Sequence, residues 1–180
     1  MGKVLLMLPE SLRSRLRARI AGAEHRRELV VDVMMALQET HGYLTDEGVA
    51  ETAALLGMTP LEVEELATFY DFVYREPVGR YVIRVCDGVV CWMNGQERLA
   101  AHLCRTLGIG PGETTPDGLF TLLPVSCLGY CDRSPAMLVN REVYGHLTAQ
   151  RADEILEKLR CEAQGGDPED RGPGTEDRSR

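Results

Sequence analysis

The sequence predicts an α+β chain in three parts. These are an N-terminal helical bundle over residues 10–78, a mixed strand-and-helix domain over 79–160, and a disordered tail over 161–180. Three observations predict it. Helical periodicity persists from Glu10 to about Tyr74. Pro77 and Gly79 then punctuate a switch to β-branched alternation that starts at Arg80. From Cys161 onward the composition is dominated by Gly, Pro, Asp, Glu, Arg and Ser, with almost nothing to bury.

In the helical part, Leu29, Val30, Val33, Met34 and Leu37 recur at the three-and-four spacing of a buried face. Gly42 after His41 is a natural left-handed stop. Thr45 caps a helix that ends at Gly57. Thr59-Pro60-Leu61-Glu62 has the form of a capping box with proline in the first turn. The helix it opens carries Val63, Leu66 and Phe69 as its expected apolar face. No cluster of catalytic side chains appears in this half.

The second part reads strand, helix, strand, strand, strand, helix. Arg80 to Cys86 is the first strand. Asn94, with Glu97 three residues on, is expected to cap a helix bearing Leu99, Leu103 and Leu107 and closed by Gly108. Gly118–Val125 and Pro135–Val139 are the next strands, and Asn140-Arg141 turns the chain into a short fourth ending near Gly145. Thr148 caps a last helix through Leu159, with Ile155, Leu156 and Leu159 inward. A strand–helix–strand unit followed by a hairpin and a final helix is the layout of a thioredoxin-like α/β domain.

Bulk properties exclude several functions. A net charge of -8 argues against a nucleic-acid partner, because phosphate neutralisation needs a basic face. The longest uncharged run, Gly118 to Cys131, is too short to span a bilayer and contains Pro124, so no direct membrane insertion is expected. Val4 to Leu8 is shorter than a signal-peptide core and ends at Pro9. Arg13, Arg15, Arg17 and Arg19 hint at a transit peptide, but Glu10 and Glu24 favour a solvated helix face. A cytosol-like compartment follows, and there six cysteines point to metal or redox chemistry and away from a disulfide framework.

Four of those cysteines form two pairs. Cys86 and Cys91 enclose Asp87-Gly88-Val89-Val90, and Cys127 and Cys131 enclose Leu128-Gly129-Tyr130. Each pair follows an expected strand. If the two strands are parallel neighbours, both loops emerge at one sheet edge and the four thiols converge. Such a set suits an iron–sulfur cluster, although the spacing is unlike the plant-type ferredoxin run. Gly88 and Gly129 let backbone N–H groups approach sulfur. Spacing alone leaves a structural zinc site open, because zinc also takes four cysteines from two short loops. A thiol–disulfide enzyme fits poorly, since neither pair has its cysteines two residues apart.

Other residues receive plainer readings. Cys104 sits among Leu103 and Leu107 as a core residue, and Cys161 is a free thiol at the edge of the tail. His25, His41, His102 and His146 are scattered surface residues. Asp87 and Asp132 are solvated loop carboxylates beside cysteines. Trp92 either shields the cysteine site, meets a partner, or simply packs. Gly108-Ile109-Gly110-Pro111-Gly112 follows a helix instead of leading from a strand into one, so it lacks a dinucleotide-binding context. No catalytic residue is assigned.

The sequence is similar to the small 2Fe–2S subunit of respiratory complex I, the 24 kDa family of NADH-quinone oxidoreductase. The resemblance runs from about Glu28 to Leu159. It includes Glu65-Leu66-Ala67-Thr68-Phe69-Tyr70, Pro77-Val78-Gly79-Arg80, Val82 to Gly95, Leu107 to Gly112, Thr115 to Gly118, and Cys127 to Asp132 followed by Ser134-Pro135. Both pair spacings and the gap between the pairs match. The resemblance implies one 2Fe–2S cluster held by Cys86, Cys91, Cys127 and Cys131. It implies a larger partner subunit that binds FMN, NADH and a 4Fe–4S cluster, within the peripheral arm of a membrane-bound complex on the cytoplasmic side. Hydride chemistry delivers electrons in pairs and clusters carry them singly, so a flavin on the partner must mediate. The helical part is then the expected docking surface. The alternatives are the same role in an NAD-linked formate dehydrogenase or hydrogenase, and a zinc-stapled interaction module.

Overall fold

A computed structural model describes residues 9–165 of the chain. They fall into two compact units, residues 9–82 with Thr114–Thr121 and residues 83–113 with 122–165.

The first unit is helical. Its elements are α1 (Glu10–Gly22), a 3-10 turn (Arg26–Leu29), α2 (Val30–His41), α3 (Asp46–Leu56) and α4 (Pro60–Phe69). The expected stops and caps are all in place. Gly42 is left-handed, with φ 84°, and donates its N–H to Gln38 carbonyl. Thr45 caps α3 by accepting from Gly48 N–H. Thr59 and Glu62 form the reciprocal capping box of α4. The face expected on α2 is buried at Val30, Val33, Met34 and Leu37, while Leu29 is only partly covered. One expectation fails: α4 buries Val63 and Ala67, and Phe69 is 76% exposed. At its C-terminal end the helix turns Phe69 away from the core, and the following Tyr70 and Phe72 pack inward instead. Polar side chains staple the unit. Gln38 donates to Phe72 carbonyl at 2.8 Å and accepts from Tyr74 N–H at 2.6 Å. The Arg75 guanidinium bridges Glu64, Asp46 and the Leu44 carbonyl.

The sheet contains β1 (Tyr81–Cys86), β2 (Phe120–Val125), β3 (Met137–Val139) and β4 (Glu142–Tyr144) in the order β2-β1-β3-β4. β1 and β2 run parallel. Tyr81 N–H donates to Leu119 carbonyl and Asp87 N–H to Val125 carbonyl, so both strands advance together. β3 is antiparallel to β1, with Val85 opposite Met137, and to β4, with Leu138 opposite Val143.

Between β1 and β2 lie α5 (Val89–Met93) and α6 (Gln96–Leu107), and α7 (Ala149–Gly165) closes the described chain. Leu99, Leu103 and Leu107 of α6 and Ile155, Leu156 and Leu159 of α7 are all buried. The two helices pack together, and His102 is 2.7 Å from Asp153 across them. His102 is therefore a half-buried tie between helices, where the sequence suggested a surface residue. Asn94 also differs from expectation. It ends α5, its amide donating to Val90 carbonyl, and Gly95 starts α6. A five-residue helix is too short to leave a periodic signal, so α5 was not legible. Helix α7 continues through Cys161 to Gly165, which corrects the expected start of the tail. Residues 166–180 of that expected tail lie outside the described residues. Among the described residues, no helix is long and apolar enough to cross a membrane.

Candidate metal centre

The second unit brings together all four paired cysteines. Cys86 ends β1, Cys91 lies in α5, Cys127 follows β2, and Cys131 opens a 3-10 turn, Cys131–Arg133. The parallel pairing of β1 and β2 puts the loops after both strands at the same edge. The thiols lie close enough to influence one another in a run, Cys91 with Cys86 and Cys86 with Cys127, and Cys127 Sγ is 4.0 Å from Cys131 Sγ. All are free cysteines. Among the described residues, no three His, Cys, Asp or Glu side chains are arranged to hold a single metal ion.

The pairs have different surroundings. Cys86 and Cys91 are each 2% exposed and cluster with Ala136, with Leu128 and Tyr130 packed against them. Burial pushes the Cys91 thiol up to about 11, reinforced by Cys86 and opposed by a backbone hydrogen bond from Ala136. A metal centre taking Cys91 as thiolate must displace that proton. Cys127 and Cys131 are exposed. Gly129 N–H points at Cys127 Sγ from 3.4 Å and is the main cause of that thiol's lowered pKa. Cys131 is raised, chiefly by its contact with Cys127.

The backbone has the space that a sulfur-ligated centre requires. A Cβ on Gly88 would stand 2.9 Å from Ser126 carbonyl oxygen and 3.5 Å from both Cys86 Sγ and Cys127 Cβ. A side chain there would intrude between the two loops. Backbone N–H groups already directed at sulfur, from Gly129 and Ala136, stabilise thiolate charge in the way iron–sulfur sites use. The donor set, its glycine cradle and its N–H groups therefore fit a cluster with cysteine ligands.

The remaining candidates separate from this site. Cys104 is half-buried on α6 and Cys161 is exposed on α7. Asp87 is exposed, with its backbone N–H in the β1–β2 ladder, and exposed Asp132 lies 3.6 Å from its neighbour Arg133. Trp92 is 55% exposed, and with Val89 and Met93 it forms an apolar ridge on α5, opposite to buried Cys91. That ridge escapes sequence reasoning along with α5 itself. The part played by Ala136 leaves no side-chain signal, because it acts through its backbone.

Comparison with known proteins gives concordant matches. A family model described as "Thioredoxin-like [2Fe-2S] ferredoxin" matches residues 16–160. The chain is 43% identical over 151 residues to the second NADH-quinone oxidoreductase E-subunit of Rhizobium meliloti (strain 1021), covering 84% of this chain and 90% of that one. It is 42% identical over 137 residues to the NADH-quinone oxidoreductase E-subunit of Escherichia coli (strain K12), covering 76% and 82%. Among solved structures, an NAD+-reducing [NiFe]-hydrogenase in the H2-reduced state matches with TM-score 0.62 and 32% identity over 78% of this chain. The match spans only 23% of that hydrogenase chain.

Proposed function

Because the chain belongs to the thioredoxin-like [2Fe-2S] ferredoxin family, we propose that Cys86, Cys91, Cys127 and Cys131 hold its single [2Fe–2S] cluster, in an electron-transfer subunit of an NADH:quinone oxidoreductase. The observation that carries this reading is the convergence of four thiols at one edge of a parallel strand pair, with Gly88 leaving room between the loops. When bound, the cluster supplies a one-electron carrier whose all-cysteine ligation favours low potential. The chain's own residues supply the rest. Gly129 and Ala136 donate to sulfur, and the apolar surroundings of Cys86 and Cys91 keep water from that pair.

In this reading the electrons come singly from the FMN of a larger partner subunit that also binds NADH and a 4Fe–4S cluster, and the helical residues 10–78 dock to the assembly. The division into that docking part and a cluster domain over 79–160 belongs to the same proposal. Relatives named as subunits of NADH-quinone oxidoreductase support it at about 40% identity. A second assembly is favoured by a specific observation, the likeness to an NAD+-reducing hydrogenase. Co-purifying subunits distinguish the two.

The test is anaerobic purification with iron and sulfide analysis, then EPR of the dithionite-reduced protein. About two irons and two sulfides per chain with a spin-half signal are expected. A colourless protein with about one zinc per chain, even after iron–sulfur reconstitution, would replace the cluster with a structural zinc site.

A further inference from the structure

Gly145 follows β4 and carries no chemistry of its own. A Cβ built there would lie 2.6 Å from Arg133 Cβ, 2.7 Å from Arg133 carbonyl oxygen and 2.8 Å from Tyr130 Cε1. Those distances are shorter than packed atoms tolerate. Gly145 is not among the glycines with positive φ, so lack of space, and not backbone conformation, is what demands glycine. The crowded atoms belong to Tyr130 and Arg133, which flank Cys131 and Asp132 in the turn.

The same segment grips that turn by hydrogen bonds. His146 N–H donates to Arg133 carbonyl at 2.6 Å, and Leu147 N–H to Pro135 carbonyl at 3.1 Å. Arg133 donates from Nη1 to Tyr130 hydroxyl at 2.9 Å, with its guanidinium 5.3 Å from the Tyr130 ring centroid. The chain leaving β4 thus lies flat against the turn that presents Cys131. Cys131 is exposed and outside the apolar cluster that holds Cys86 and Cys91, so its place is set by this backing.

We propose that Gly145 is a positioning residue for the Cys131 thiol, its missing side chain letting the post-β4 segment seat the Tyr130–Arg133 turn. The inference rests on the reading of the four cysteines as cluster ligands. Any side chain at 145 pushes the turn outward and moves Cys131 away from Cys127.

The experiment compares full-length wild type, Gly145→Ala and the double variant Gly145→Ala/Arg133→Gly, each reconstituted anaerobically. Cluster loss to a chelator should be about 10-fold faster in the alanine variant, at the lower end of what changes behind a metal ligand cost. Its EPR g-values should shift while circular dichroism stays that of wild type. The double variant removes the nearest clashing carbon but leaves Arg133 carbonyl oxygen and Tyr130 Cε1 within 2.8 Å of the new Cβ, so it should restore only part of the retention. Wild-type g-values and loss rate in Gly145→Ala overturn the proposal. An unfolded alanine variant that the second substitution does not rescue also overturns it, since Gly145 would then serve the fold alone.

A wild-type chain that takes up no cluster refutes the ligand reading instead. In that event phenylarsine oxide, which bridges neighbouring thiols, reads the Cys127–Cys131 separation in the reduced chain directly. Binding about 10-fold weaker in Gly145→Ala, in line with the effect expected for a moved ligand, upholds the positioning role. Equal binding overturns it.

Discussion

Cys86 and Cys91 stand where the core puts them, whereas Cys127 and Cys131 stand where hydrogen bonds and glycines put them. Cys86 closes β1, its N–H donating to Ala136 carbonyl at 3.1 Å, and it shares a buried cluster with Cys91. Cys127 and Cys131 are solvent-exposed, held by the left-handed Gly129, a single 3-10 turn and the segment that follows β4. The first pair inherits its geometry from the sheet. The second pair needs local devices, because nothing apolar covers it. A site built this way has one rigid half and one half whose precision depends on a few backbone contacts.

Removing one cysteine from each pair should separate the two halves of the site most strongly. Cys86→Ser and Cys127→Ser should both abolish the wild-type EPR signal. They should diverge in the metal-free chain. Serine at position 86 buries a hydroxyl in a space made for sulfur and should cost about 1–3 kcal/mol of stability. Serine at 127 exchanges one exposed polar group for another and should stay within about 0.5 kcal/mol. Urea denaturation of the apo chains reads both, and equal losses would dissolve the distinction between the pairs.

The difference between the pairs also explains what the sequence disclosed. The spacings Cys86–Cys91 and Cys127–Cys131, the β-branched run before the first and the helix stops at Gly42, Gly57 and Gly108 are all signals carried by residue type at fixed intervals. So is the Thr59–Glu62 capping box, whereas the parallel pairing of β1 and β2 that sets both loops at one edge enters the sequence reading only as a condition and is supplied by the fold. What stayed hidden acts without a type-specific signal. Helix α5 is too short for periodicity, so the outward ridge of Val89, Trp92 and Met93 was not legible. Phe69 matched its helix's apolar spacing yet faces solvent, because the end of α4 turns away from the core. Ala136 works through its backbone, and Gly145 through the absence of a side chain. His102 reveals its partner Asp153 only when two helices distant in sequence are packed.

A finer probe acts on the exposed pair alone. Gly129 holds φ 74° with open space around it, so Gly129→Ala meets strain without a steric clash. A non-glycine residue in that region costs about 1–2 kcal/mol. The loss in apo stability should therefore approach that range, and the loop should relax and weaken the Gly129–Cys127 contact. Chemical denaturation together with the reaction rate of Cys127 towards a thiol reagent would show it. Unchanged stability would mean that the loop tolerates alanine and does not depend on its glycine.

The smallest effect belongs to a control remote in sequence from both pairs. Thr59 and Glu62 cap α4: Thr59 N–H donates to Glu62 at 2.8 Å and Glu62 N–H to Thr59 hydroxyl at 3.3 Å. The bond from the Thr59 backbone, with those from its hydroxyl and Arg27, holds the Glu62 carboxyl below the usual range. A carboxyl with a depressed folded-state pKa stabilises the fold above its unfolded pKa, and the support fades as pH falls through the folded value. Losing the Thr59 cap in Thr59→Ala should cost about 1 kcal/mol at neutral pH. The part that depends on Glu62 should vanish in acid, so the gap from wild type should narrow once that carboxyl is protonated. Thermal melts across that range, with Glu62→Gln alongside, read the trend. Cys86→Ser and Cys127→Ser should keep their difference in the Thr59→Ala background, since sites that share no hydrogen-bond partner add independently. A difference that collapses there would mean that capping α4 and burying Cys86 draw on one cooperative structure, and the contrast between the pairs would then reach beyond their loops.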